Sequence, residues 1–277
     1  MNIFSSLLLF AYLFLPNSPT QSVSSTPPVK FGIWGVDKIS PSKEKDLFCQ
    51  LKKDNFDFIQ SYSSFKTHSF KRLEGLLENI QECRINAILA IQPFRKNILV
   101  NPVFNSKLQL LSLYSRNVLV QIADEPRSKN QVRFLPKICR HIEKFSLDAH
   151  LQEGVNPTIL QCVTQNGLHS HRKRPNINPS LKQIALNSHK LRRSRKDIVY
   201  TMRMFNSENQ NNFVNVTYED AKNELCYVLQ NIKPNKIAFY TYNKRYKGAG
   251  MMQDPGLYKI ATQLVLKYKN NKLICQK

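Results

Sequence analysis

Two adjacent carboxylates, Asp124 and Glu125, stand before Pro126 at the end of the apolar run Val118 to Ile122 and Ala123. Carboxyl groups exchange protons and accept hydrogen bonds, so a pair of them closing a buried strand is a candidate site of chemistry. In a parallel sheet the C-terminal strand ends face the ligand, and acids placed there meet a substrate more readily than a core. Pro126 helps stop the strand, because it has no amide proton for a ladder. The same residues also spell a helix start, with Asp124 as N-cap and Pro126 just inside the helix.

The elements that must position these acids follow a strand and helix rhythm from Val29 onward. Short apolar runs recur, most of them separated by longer amphipathic segments of helical period, which argues for βα units and a parallel sheet. Strands are expected at 30–35, 56–61, 86–91, 117–122, 146–152, 158–164, 197–205 and 236–242. Helices are expected at 41–53, 70–83, 132–145, 179–191, 217–232 and 255–268. The fifth and sixth strands lie too close for a full helix between them, so either one is not a strand or a crossover helix has been lost. Eight strand candidates fit a single α/β (β/α)8 barrel, irregular around strands five and six. An open doubly wound sheet is the alternative, but no glycine-rich turn marks a nucleotide crevice.

In a barrel the other strand ends become candidate binding residues. They are Trp34 and Asp37 after strand one, Gln60 and Tyr62 after strand two, Gln92 after strand three, Arg203 and Glu208 after strand seven, and Tyr240 and Tyr242 at strand eight. Gln152, Glu153, Gln165 and Asn166 stand in the same relation to strands five and six. A mouth of amides, carboxylates and rings suits a sugar, whose hydroxyls need polar partners and whose C–H faces stack on aromatics. Trp34, the one tryptophan, is the expected stacking platform; a ring packed at the rim is the plainer reading.

These residues carry a resemblance to the glycoside-hydrolase-like (β/α)8 barrels related to clan A. Those proteins end their fourth strand in Asn-Glu-Pro or Asp-Glu-Pro, matched here by Asp124-Glu125-Pro126. Their final strand brings aromatics to the sugar, as the stretch Ile237 to Tyr242 would. The resemblance covers about residues 30 to 268 and assigns Glu125 the role of general acid/base, with Asp124 beside it as the charge that tunes it. The family's second carboxylate closes strand seven. Here Arg203 stands in that region and Glu208 is the first acid after it, with Asp37 and Glu153 as other possible partners. An arginine there would suit a carboxylate or sulfate on an acidic sugar.

Residues 1–22 read as a secretory signal peptide, 23–29 as a linker and 30–277 as the barrel, with an N-terminal anchor if the signal stays uncleaved. The mature chain holds no other stretch of membrane-spanning length. With 41 Lys and Arg against 19 Asp and Glu, the net charge of +22 draws the protein to polyanions. No acid lies between Glu153 and Asp197, where Arg172, Lys173, Arg174, Lys182, Lys190, Arg192, Arg193, Arg195 and Lys196 crowd together. That run is either an anion-contacting surface or a solvated face.

The six cysteines form no C-x-x-C pair, and their setting among apolar residues favours buried free thiols. His169 and His171 are the one close histidine pair, a weak metal signal, so no metal and no cofactor are implied. The expectation is a secreted, monomeric glycoside hydrolase-like protein acting on a carbohydrate. A non-catalytic carbohydrate- or cell-wall-binding barrel and a basic nucleic-acid binder are the alternatives, the last not favoured and, with few aromatics among its basic residues, expected to bind mostly through phosphates and with salt sensitivity.

Overall fold

In the computed structural model the described residues are 28–37, 39–94, 97–126, 128–169, 179–207, 215–243 and 248–275. The expected signal peptide and linker therefore lie outside them, apart from residues 28 and 29. In chain order the strands are β1 (Lys30–Trp34), β2 (Phe58–Ser61), β3 (Asn86–Ala90), β4 (Val118–Asp124), β5 (Ala149–Gln152), β6 (Val163–His169), β7 (Asp197–Arg203), β8 (Asn206–Ser207), β9 (Lys236–Tyr240) and β10 (Gly248–Ala249). β1 to β7 and β9 pair in parallel in that order, and β9 closes on β1 with Trp34 opposite Tyr240. The expected (β/α)8 barrel is the fold. β8 and β10 form a two-stranded antiparallel ribbon apart from the barrel.

The helices are α1 (Pro41–Lys53), α2 (Ser64–Thr67), α3 (Phe70–Glu82), α4 (Pro102–Ser112), α5 (Lys129–Glu143), α6 (Pro179–Arg193), α7 (Tyr218–Tyr227) and α8 (Pro255–Lys269). α5 begins later than a cap at Asp124 would require. Ser128 accepts the Gln131 N–H while the Gln131 side chain accepts the Ser128 N–H, a capping box that leaves Asp124 in β4 and Pro126 in the turn. The strand-end reading of the acidic pair therefore holds. α4 was not expected from periodicity, but Asn101 caps it by accepting from Phe104 N–H, and Pro102 opens it.

Both β5 and β6 are strands, joined by a crossover over residues 153–162 that carries no helix. The sixth strand runs from Val163 to His169 rather than over 158–164. The reason is Glu153, whose carboxylate accepts the Thr158 N–H at 2.9 and 2.8 Å and the Asn166 Nδ2 at 3.2 Å, folding the stretch before Val163 into a loop. Gln165 and Asn166 thus lie inside β6 and do not follow it.

The barrel wall has two faces, and they differ. Outward residues such as Phe31, Ile33, Val120, Leu151, Tyr200 and Phe239 join the helices in one continuous apolar core. The interior divides: Trp34, Phe58, Ile88, Val199, Ala238 and Tyr240 form an aromatic and aliphatic cluster, whereas Gln60, Gln121, His150, Gln152, Gln165 and Arg203 are also buried and polar. Gln60 donates to Gln121 at 2.7 Å, and His150 Nε2 lies 3.1 Å from Gln152 Oε1. Two glycines make room for this filling. A Cβ on Gly32 would sit 2.5 Å from the Phe58 ring and from its carbonyl oxygen, and one on Gly167 would sit 2.0 Å from Gln152 Oε1.

All six cysteines pair, which corrects the expectation of free thiols: Cys49–Cys83, Cys139–Cys162 and Cys226–Cys275. Each joins elements 23 to 49 residues apart in sequence, so the bridges staple helices and loops around the barrel. Bridges of this kind belong to proteins that fold in an oxidising, extracellular-type compartment. Among the described residues no helix is long and apolar enough to cross a membrane.

Gly32→Ala is expected to destabilise the fold by about 1–3 kcal/mol through overpacking against Phe58, read as a lower midpoint in urea denaturation. A second expectation concerns acid. Burial pushes the His150 imidazole from 6.5 down to about 4. The unfolded chain then binds a proton that the folded one refuses, so stability is complete above pH 6.5 and falls as the pH drops towards 4, by up to about 3 kcal/mol. Denaturation across that window checks it, and His150→Gln should make the slope shallower.

Candidate functional site at the barrel mouth

The C-terminal ends of the strands open on a cleft of about 610 Å³. Gly35 and Asp37 follow β1, Tyr62 and Ser63 follow β2, Gln92 and Phe94 follow β3, Gln121 and Asp124 belong to β4, and Thr241 and Asn243 follow β9. The cleft therefore sits over one side of the mouth, from β9 through β4. Four of the expected residues, Asp37, Tyr62, Gln92 and Asp124, line it together.

Asp124 reaches the cleft because β4 is irregular. Val120 and Gln121 pair with Ala149 and His150, but the register then slips, and Ala123 and Asp124 pair with Leu151 and Gln152. Gln121 faces the interior, Ile122 and Ala123 pack in the outer core while Ala123 also borders the cleft, and Asp124 pairs beside Gln152 and lines the cleft. This is a β-bulge, in which one extra residue re-aims the side chains after it. Regular alternation from Gln121 would instead turn Glu125 inward.

Glu125 lies just past the bulge with φ of 46°, and its N–H donates to the Gln152 carbonyl at 2.9 Å. A non-glycine residue in this left-handed region costs about 1 kcal/mol or more and is held by its surroundings. Its carboxyl meets His169, the last residue of β6, with Oε1 2.7 Å from Nε2. Glu125 is not among the residues that line the cleft; its side chain is 30% exposed and His169 is nearly buried. Of the histidine pair noted as a weak metal signal, His169 meets Glu125 and His171 is outside the described residues.

The remaining candidates occupy different layers. Trp34 is 1% exposed and does not open on the cleft, so the expected platform is covered. Tyr62 stacks on it at 4.9 Å and presents the ring that lines the mouth. Tyr240 packs against Trp34 at 5.1 Å and edge-on to Phe205 at 5.7 Å. Gln60 lies below, bonded to Gln121. Arg203 is also 1% exposed; its guanidinium lies 4.7 Å from the Phe205 ring and donates to the Phe205 carbonyl at 3.2 Å. Tyr242 packs on the outer core rather than the mouth, where burial raises its hydroxyl pKa. Glu208 is outside the described residues.

Two expected partner acids have structural work. Asp37 accepts from Ser61 Oγ at 2.6 Å, from Ser63 N–H and Oγ at 2.9 Å each, and from Tyr62 N–H at 3.3 Å. It therefore fixes the β2 loop that carries Tyr62. Glu153 is buried, which raises its pKa, and it holds the β5 to β6 loop. In the basic run, Arg192 donates to the Ile232 carbonyl and Lys196 to the Gln161 carbonyl, while Lys182, Lys190, Arg193 and Arg195 are exposed. Arg172, Lys173 and Arg174 are outside the described residues.

Sequence reasoning did not single out Gln121, Phe94 or His169 as site residues. Gln121 was visible as the one polar residue inside an apolar strand. His169 was hidden because the sixth strand was placed five residues too early.

No protein-family model matches the chain, and no curated protein matches it. Solved structures do. The endo-1,4-beta-mannanase of Rhizomucor miehei superposes with a TM-score of 0.59 at 10% identity, over 90% of this chain and 97% of that one. A glycoside hydrolase family 30 subfamily 8 xylanase from Clostridium acetobutylicum gives 0.52 at 12% identity, over 86% and 71%. The octameric ribulose-1,5-bisphosphate carboxylase/oxygenase of Pyrococcus horikoshii OT3 gives 0.56 at 11% identity, over 89% and 59%. The fold resembles that of glycoside hydrolases and of other barrel enzymes, and at such identities the likeness is one of fold.

Asp37→Ala should withdraw the acceptor from four donors and loosen the β2 loop. The expected loss is about 2–4 kcal/mol of stability, with faster amide exchange at Tyr62 and Ser63 measured by hydrogen exchange.

Proposed function

We propose that this protein binds a glycan at the barrel mouth. The observation that carries the reading is the lining of the cleft: the carboxylate of Asp124, the amides of Gln92, Gln121 and Asn243, and the Tyr62 ring backed by Trp34. Amides and carboxylates bond pairs of sugar hydroxyls, and a supported ring receives a C–H face. The described lining holds two acids and no Lys or Arg, so a neutral sugar fits it better than an acidic one, despite the chain's charge of +22. The likeness to mannanases and xylanases supports the same substrate class by analogy. The three disulfides support a secreted setting.

Hydrolysis is the second reading, favoured by Glu125 and His169, which share a 2.7 Å contact through which a proton can pass. Glycoside hydrolysis uses two carboxyls, about 5–5.5 Å apart for retention and about 6.5–9.5 Å for inversion. The end of β7 offers Arg203 in place of an acid. Binding therefore has the stronger support, and in a hydrolase the assignment would be Glu125 as acid/base with Asp124 gripping the sugar.

Asp124→Asn should weaken binding to a neutral glycan panel about 10- to 100-fold by isothermal titration, as loss of a charged hydrogen bond does. No binding of any neutral glycan by the wild type would overturn the reading. For hydrolysis, reducing-end release should disappear in Glu125→Gln; equal release from both proteins would remove Glu125 from catalysis.

A further inference from the structure

A second groove of about 460 Å³ runs outward from the mouth between the turn after β3 and helix α5. It shares Phe94 and Gln131 with the mouth cleft, so the two spaces adjoin. One wall is the short helical turn Ile98–Val100; the other is the α5 face that carries Phe134 and Lys137. The two phenylalanines face each other with ring centroids 6.5 Å apart. Val100 is 75% exposed at the rim.

The two spaces differ in chemistry. The mouth offers hydrogen-bonding groups from five strands, as hydroxyls require. The described lining of the groove is mixed: three consecutive hydrocarbon side chains and an aromatic pair stand beside Asn97, Asn130 and Lys137, and the apolar part shields methylene or aryl surface from water. The geometry points to a ligand in two parts: a sugar held at the mouth and an apolar aglycone, alkyl or aryl, laid along the groove. This inference rests on the glycan reading of the mouth and narrows it to glycosides of apolar alcohols or phenols.

The test uses hexyl, octyl and decyl β-D-glucosides below their micelle concentrations, with the same tails on maltose and on phosphocholine, titrated by calorimetry into the full chain. Affinity should rise about two- to fourfold per added methylene until the groove is filled. Val100→Asp, a change at an exposed position that leaves packing intact, and Phe134→Ala should both flatten that rise. Affinity independent of tail length, absence of binding on all three headgroups, or a rise untouched by both substitutions would overturn the groove assignment. The headgroup separates the two readings. A tail-length rise that is identical on glucose, maltose and phosphocholine supports the groove and removes the sugar site. Headgroup preference without any rise removes the groove and keeps the sugar site.

Discussion

A closed barrel has one interior, and every inward side chain of eight strands competes for it. Here that constraint is met by dividing the space. Large rings and aliphatic groups come mostly from β9, β1, β2 and β3, with Val199 of β7 beside them, and Gly32 surrenders its side chain so that Phe58 fits against it. Amides, an imidazole and a guanidinium come mostly from β4 to β7, joined by Gln60 of β2, with Gly167 making the same concession to Gln152. The mouth draws on both halves. Its stacking ring, Tyr62, stands on the aromatic column of Trp34, and its hydrogen-bonding groups come from β4 through Gln121 and Asp124 and from the turns after β1, β3 and β9 through Asp37, Gln92 and Asn243. The site is the top layer of the packing problem that the barrel had to solve.

Much of the barrel was legible in the chain because parallel strands buried on both faces leave strong signals. β1, β3, β4, β7 and β9 are apolar runs bounded by turns, and α1 and α3 show a one-sided apolar stripe. β6 was misread because its inward positions are Gln165 and Gly167, which look like a loop unless the interior is known to be polar. α4 escaped because its leucines, at 108, 110 and 111, do not keep a single face. The disulfides escaped for a different reason: pairing depends on which helices become neighbours, and spacing alone does not contain that.

The candidate site was legible as a set of strand ends but not as a set of directions. Asp37, Tyr62, Gln92 and Asp124 converge as their positions suggest. Trp34 and Arg203 stand at the right heights and face the interior, yet the rings of Tyr62 and Phe205 pack against them and they do not open on the cleft. Direction is set by local register and by what lies above, and both are properties of the assembled barrel.

The bulge in β4 sets one such direction. By placing one extra residue between Gln121 and Ala123, it acts as a frame shift written in space rather than in the gene. A chain identical letter for letter through Asp124, Glu125 and Pro126 but lacking that extra half-pleat would offer glutamate to the mouth and hide aspartate. Kinship read along the letters and kinship read through the cleft can therefore part company at this strand by a single residue.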